Sequence, residues 1–215
     1  MVKSPSERTR VSRVPERAAY DEDTIHRILD EALICHVAFA TDQGPVAIPT
    51  IHARVDSTLY LHGSHASRMM RATVGADVCV TVTIVDGIVA ARSAFHSSLN
   101  YRSVVVFGTP RIVDDPNERR VAFEAITNHV LPGRWSEARQ PNAKEDAGTR
   151  LLAIDIGEAS AKVRTGPPGD DADDLDLGIW AGVIPLSVTA GTPNPAPDLE
   201  QGVDVPLSVR NLTRS

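Results

Sequence analysis

The chain has 215 residues, 42% of them hydrophobic and 23% charged, with a formal net charge of −6. That is the composition of a soluble globular domain, and its acidity argues against general nucleic-acid binding. The longest apolar runs, such as VCVTVTIV, are strand-sized and too short to span a bilayer, so no membrane segment is expected.

Residues 1–19 read as a polar, basic arm with no apolar signal-peptide core, and a cytoplasmic chain is expected. YDEDTIHRILDEAL follows as a helix: Asp21 suits its N-cap, and Ile25, Ile28, Leu29, Ala32 and Leu33 make one apolar stripe. From residue 34 the apolar period falls to two. CHVAFAT and VAIPTIHARV flank the turn-rich DQGP and predict a hairpin, and STLYLHG predicts the next strand. ASRMMRATV has the length of a short helix. DVCVTVTIV and IVAARSAF, separated by Asp86-Gly87, predict a second hairpin with a type I′ turn.

YRSVVVFGTPRIV predicts a further strand with a break at Gly108 or Pro110. DDPNERRVAFEAITNHVL predicts a helix capped by Asp114 or Asp115. Residues 132–150 read as a polar loop, RLLAIDI as a late strand, GPPGDDADDLD as an exposed acidic loop and IWAGVIPLSV as the last strand. The expected organisation is an arm over 1–19, one domain over 20–190 and a mobile tail over 191–215. Six or seven strands with few helices predict a mainly β fold: a closed barrel with peripheral helices.

The segment LHGSHASRMMR, between two core-like strands, carries the most chemistry. Arg68 and Arg71 are one helical turn apart and can converge on one anion. Ser64 and Ser67 offer hydroxyls, and Gly63 lets the backbone approach closely. His62 is a further donor. The set suits a phosphate monoester, and capped surface arginines are the plain alternative. Cys35 and Cys79 sit in apolar strands and read as small buried hydrophobes. Seven histidines (26, 36, 52, 62, 65, 96 and 129) lack zinc-like ligand spacing, so no metal site is expected. No nucleophile elbow, dinucleotide fingerprint or Walker loop is present.

LYLHGSHASRMMRAT resembles the strand–turn–helix that grips the FMN phosphate in the pyridoxamine 5′-phosphate oxidase-like, FMN-binding split-barrel proteins. Ser67-Arg68 match that family's Ser-Arg pair, and Met69 stands where the oxidases often have Lys. VAIPTIHARVDSTLYLHG is similar to the paired strands that line the flavin ring, with Pro49, Thr50 and Ile51 at the matching place. HSSLNYRSVVVFGTPRIVDDPNE resembles the strand with further flavin contacts, here Asn100, Tyr101, Arg102 and Ser103. SAKVRTGPP and WAGVIPL resemble the closing segments of a bacterial subgroup.

The resemblance implies a homodimeric FMN-binding split β-barrel, with FMN at the interface, Trp180 contributed by the second subunit, and His96 as a substrate-side acid. The implied function is two-electron flavin chemistry on a small molecule. The chain ends VRNLTRS and lacks the Arg-x-x-Pro pattern of the oxidases proper, so vitamin B6 oxidation is not expected. The alternatives left open are a non-enzymatic flavin carrier or sensor, and a split barrel using deazaflavin F420 or haem.

Overall fold

A computed structural model describes residues 6–212. In chain order its elements are β1 (Ala18–Ala19), α1 (Glu22–Glu31), β2 (Cys35–Thr41), β3 (Gly44–Thr50), β4 (His52–Val55), β5 (Thr58–Ser64) and α2 (Arg68–Ala72). There follow β6 (Val78–Ala90), β7 (Ser98–Gly108), β8 (Arg111–Ile112), α3 (Pro116–Val130), α4 (Arg134–Glu137) and α5 (Ala143–Gly148). β9 (Thr149–Asp155), β10 (Glu158–Arg164), β11 (Gly182–Pro185) and α6 (Leu207–Arg210) complete the set.

Two antiparallel sheets carry the fold. The larger runs β1-β10-β7-β6-β2-β3, with β11 paired to the far half of β6, and the smaller runs β4-β5-β9-β8. The strand expected over VAIPTIHARV breaks at Ile51, and there the chain passes from β3 in one sheet to β4 in the other. β3 is an edge strand, which accommodates Pro45 and Pro49 without losing ladder hydrogen bonds in a sheet interior. The DQGP hairpin forms as expected, with Gly44 at φ 110° and Thr41 Oγ1 donating to its carbonyl at 2.8 Å.

The main core lies between the sheets and under α1, whose Ile25, Ile28 and Leu29 meet Val37, Val80, Val82, Val104, Leu59 and Leu61. Asp21 caps α1 by accepting from Thr24 N at 2.8 Å. A second cluster (Ala53, Tyr60, Val113, Ala122, Ile126 and Leu151) fills the other face of the smaller sheet beneath α3. Each such buried aliphatic side chain contributes about 1.5–3 kcal/mol. Cys35 is in the core with its thiol pushed up to about 12 by burial, and Cys79 is half-buried; both are free. Among the described residues no helix is long and apolar enough to cross a membrane.

Three sequence expectations are corrected. Asp86-Gly87 is no hairpin turn: β6 runs unbroken from Val78 to Ala90, and the pair forms a bulge where the register with β7 shifts between Val85 and Gly87. Gly87 lacks the positive φ of a type I′ turn, and a Cβ there would lie 3.0 Å from Ile184 O. The dipeptide serves close strand approach instead of reversal. Residues 132–150 are not all loop, because α4 and α5 form there. α5 has a capping box, in which Asn142 Oδ1 accepts from Lys144 N and Glu145 N while Glu145 Oε2 accepts from Asn142 N. β10, whose EASAKVR has little apolar alternation, adds a strand absent from the sequence reading.

At the chain's end, residues 189–206 are exposed except Pro206, and α6 meets α4 through Ser208, whose N–H and hydroxyl both donate to Glu137.

Candidate functional site

The β5–α2 turn is built from its own residues. Gly63 faces α2 so closely that a Cβ would lie 3.0 Å from Met70 Cγ and Cε. Met69 and Met70 are buried in the main core and anchor the short helix, leaving Arg68 and Arg71 exposed on its outer side. Ser67 caps the helix by accepting from Met70 N, and Ser64 Oγ accepts from Ala66 N at 3.2 Å. These bonds fix the turn and still leave both hydroxyls free to donate.

Arg150 joins this turn and was not picked out from the sequence. It heads β9 directly opposite Gly63, and its Nη1 donates to Met70 O at 3.3 Å. Its Nε is fully buried without a hydrogen-bond partner. Among the described residues no carboxylate forms an ion pair with Arg68, Arg71 or Arg150. Elsewhere among the described residues most arginines have such a partner, and three guanidiniums without one on a single turn and its neighbouring strand are chemically suited to an anion. The ring of His62, on the preceding strand, hydrogen-bonds to no described residue: its Nδ1 is buried and unpartnered, and burial lowers its pKa. His65 is exposed at the tip.

The other sequence-selected residues lie elsewhere. Pro49 and Thr50 end β3; Ile51 links it to β4. Pro49, His36, Thr81 and Val105 form a row across four strands on the face turned away from the core. Asn100, Tyr101, Arg102 and Ser103 occupy the start of β7. Val78, just after α2, pairs with Gly108, whereas Val85 pairs with Tyr101. The β5–α2 turn belongs to the smaller sheet and the β7 group to the larger, and along β7 Tyr101 lies seven residues, about 23 Å at ~3.3 Å each, from the Gly108 end that pairs with Val78.

Arg102 is committed to Glu31 and Asp86, which raise its pKa further. Asn100 is buried, accepts from Arg164 and donates to Gly166 O. Ser103 Oγ donates to Lys162 O. Trp180 is 66% exposed, with its ring folded over Gly182. His96 Nε2 is 3.1 Å from Asp171, beside the Arg92–Asp170 pair, so two consecutive aspartates clasp the 91–97 loop. Within one chain, then, residues 62–71 and Arg150 share the β5–β9 end of the smaller sheet, residues 96–103 lie on or just before β7 of the larger, and Trp180 precedes β11. Among the described residues no cluster of three or more His, Cys, Asp or Glu side chains is placed to hold a metal ion.

The family model described as pyridoxamine 5′-phosphate oxidase matches residues 21–163. The chain belongs to this family. Its fold is that of the flavocytochrome Anf3 from Azotobacter vinelandii, which is 36% identical, with 97% of each chain covered and a TM-score of 0.91. An FAD and heme binding protein from Mycobacterium smegmatis is 39% identical over 92% of this chain and 98% of its own, with a TM-score of 0.88. A candidate 5-nitroimidazole antibiotic resistance protein from Bacteroides thetaiotaomicron shares the fold at 19% identity, 68% and 86% coverage and a TM-score of 0.57. No curated protein matched the sequence. The family's split-barrel architecture is the one described above, two antiparallel sheets with few helices.

Proposed function

We propose that this chain is a flavin-nucleotide-binding oxidoreductase that acts on a small molecule as a cytoplasmic homodimer. The observation that carries the reading is the β5–α2 turn, where Arg68 and Arg71 on α2 and Arg150 bonded to the Met70 carbonyl have no carboxylate partner among the described residues and two serine hydroxyls are free to donate. A flavin phosphate suits this set in charge and donor geometry. FAD is taken first, because the Mycobacterium smegmatis relative is named for it, and FMN second.

When bound, the flavin would supply two-electron transfer. The chain's residues would do the rest. The three guanidiniums hold the phosphate end, and the Ser64 and Ser67 hydroxyls orient it. The Pro49–His36–Thr81–Val105 face is the proposed dimer contact, through which Asn100, Tyr101, Arg102, Ser103 and Trp180 of one chain would approach the turn of the other. Asp171 fixes the His96 ring through Nε2, and His96 is the proposed proton donor on the substrate side.

Haem is the second reading, alongside or instead of flavin. Both high-identity relatives support it by name, and His62 supports it by having no bonded ring nitrogen. Its Nδ1 is enclosed, so Nε2 is the ring nitrogen through which His62 would hold the haem iron. An absorption spectrum of the purified protein, with mass spectrometry of what it releases on denaturation, tests the whole reading. FAD or FMN supports it, haem with flavin supports the second form, and a protein that releases neither and rejects both would overturn it.

A further inference from the structure

Arg119 stands in the stripe of α3 that also holds Ala122 and Ile126, both buried against the smaller sheet in the second cluster. A charged side chain placed there needs partners, and it finds them at the head of β9. Its Nη1 donates to Val113 O at 3.0 Å and its Nε to Asp146 Oδ1 at 3.0 Å. Its Nη2 donates to Asp146 Oδ1 at 2.7 Å, to Asp146 O at 2.8 Å and to Thr149 O at 2.9 Å. One guanidinium thus joins α3, the residue after β8, the end of α5 and the start of β9.

These contacts bracket Arg150. Thr149 precedes it and is held directly. Leu151 follows it, and its carbonyl accepts at 3.0 Å from the N–H of Val113, the residue whose own carbonyl Arg119 holds. Thr149 and Arg150 are also the residues that face Ser64 and Gly63 across the β5–β9 ladder. The Arg150 side chain has little to fix it: one 3.3 Å bond to Met70 O, and a buried Nε without a partner. Its direction is therefore set by the backbone on which it stands, and Arg119 clamps that backbone from both sides. The task suits a planar fork of donors, which a lysine ammonium cannot reproduce.

On the flavin reading above, we infer that Arg119 is a positioning residue for the phosphate: it fixes the head of β9 so that the Arg150 guanidinium is aimed at the ligand, and does not touch the ligand itself. A misdirected Arg150 would keep its charge and lose its hydrogen-bond geometry.

Equilibrium titration of the full chain with FAD and with FMN, over Arg119→Lys, Arg150→Ala and the double variant, tests this. Arg119→Lys keeps the charge. It should weaken flavin about fivefold in the unaltered chain and not at all once Arg150 is replaced, the coupling expected of residues that act as one unit. Asp146→Asn, at a half-exposed carboxylate, should also weaken flavin, although loss of a negative charge would by itself favour an anion. Asp21→Ala strips the α1 cap and should lower the thermal midpoint with flavin affinity unchanged. An equal loss from Arg119→Lys in both backgrounds, no loss in either, tighter binding by Asp146→Asn, or a matching loss from Asp21→Ala would overturn the positioning role and leave the flavin reading standing. An unaltered chain that binds neither FAD nor FMN would overturn both.

Discussion

His52 shows how one buried side chain sets the acid limit of the fold. It is fully buried, and its Nε2 reaches Leu29 O at 2.9 Å, so its ring donates there as the neutral tautomer. Burial first, with nearby His129 adding to it, lowers its pKa to about 4 from an ordinary 6.5. The folded-state value lies below the unfolded one, so the contribution is complete above pH 6.5 and is lost as pH falls toward 4. The loss should approach about 3 kcal/mol at pH 4. His62, also lowered by burial, adds in the same direction. Urea unfolding at a series of pH values should show this slope, and His52→Gln should flatten it. An unchanged slope in that variant would remove His52 from the account.

Arg150 is the matching case at the candidate site. Replacing it with Ala should weaken flavin binding by about 1.5–3 kcal/mol, the scale of a charge-assisted hydrogen bond, as should Arg68→Ala. Arg150→Lys should recover part of the loss if charge matters, and none if Arg150 only packs α2; equilibrium titration with FAD reads both. Arg68 and Arg71 were legible because helical spacing is local. Arg150 was not, since only the register of β9 on β5 puts it opposite Gly63.

Elements were legible where the signal lay within them. The Asp21 cap and apolar stripe of α1, and the Asp115 cap of α3, are local, and the structure keeps both. Asp86-Gly87 misled because its role is decided about a hundred residues later, by β11. Pro185 pairs with Gly87, and Ile184 O comes so near that only a hydrogen side chain fits unstrained. Gly87→Val should therefore cost about 1–3 kcal/mol, as overpacking does, and should free β11 first. Hydrogen exchange would read that as faster exchange of the Val183 and Ile184 amides with β2 and β7 unchanged. Uniform acceleration across the sheet would mean that the bulge holds the whole strand, not its pairing with β11. The Asn142–Glu145 capping box was present in the sequence at N-x-x-E spacing, but the polar composition around it masked two short helices.

At the scale of the molecule, the sequence made the fold class plain and left the site divided. Motif order along a chain does not say which sheet a motif joins, and residues 62–71 prove to follow β5 of the smaller sheet while residues 100–103 lie on β7 of the larger. The proposed dimer would bring the two together, because the turn of one chain and the β7 group of another could face a single ligand across a two-fold axis. The consequence is testable without knowing the substrate. Arg68→Ala and Tyr101→Ala should each depress flavin binding in a pure homodimer. In a mixed dimer of the two variants, one site pairs an intact turn with an intact β7 group and the other has both defects. Random reassortment makes about half the dimers mixed, so about a quarter of all sites should regain full affinity. If each chain held a complete site, or if no dimer formed, mixing would restore nothing. Titration of the unfolded, mixed and refolded pair against unmixed controls therefore tests the composite site directly, and binding no better than the mean of the two variants would exclude it.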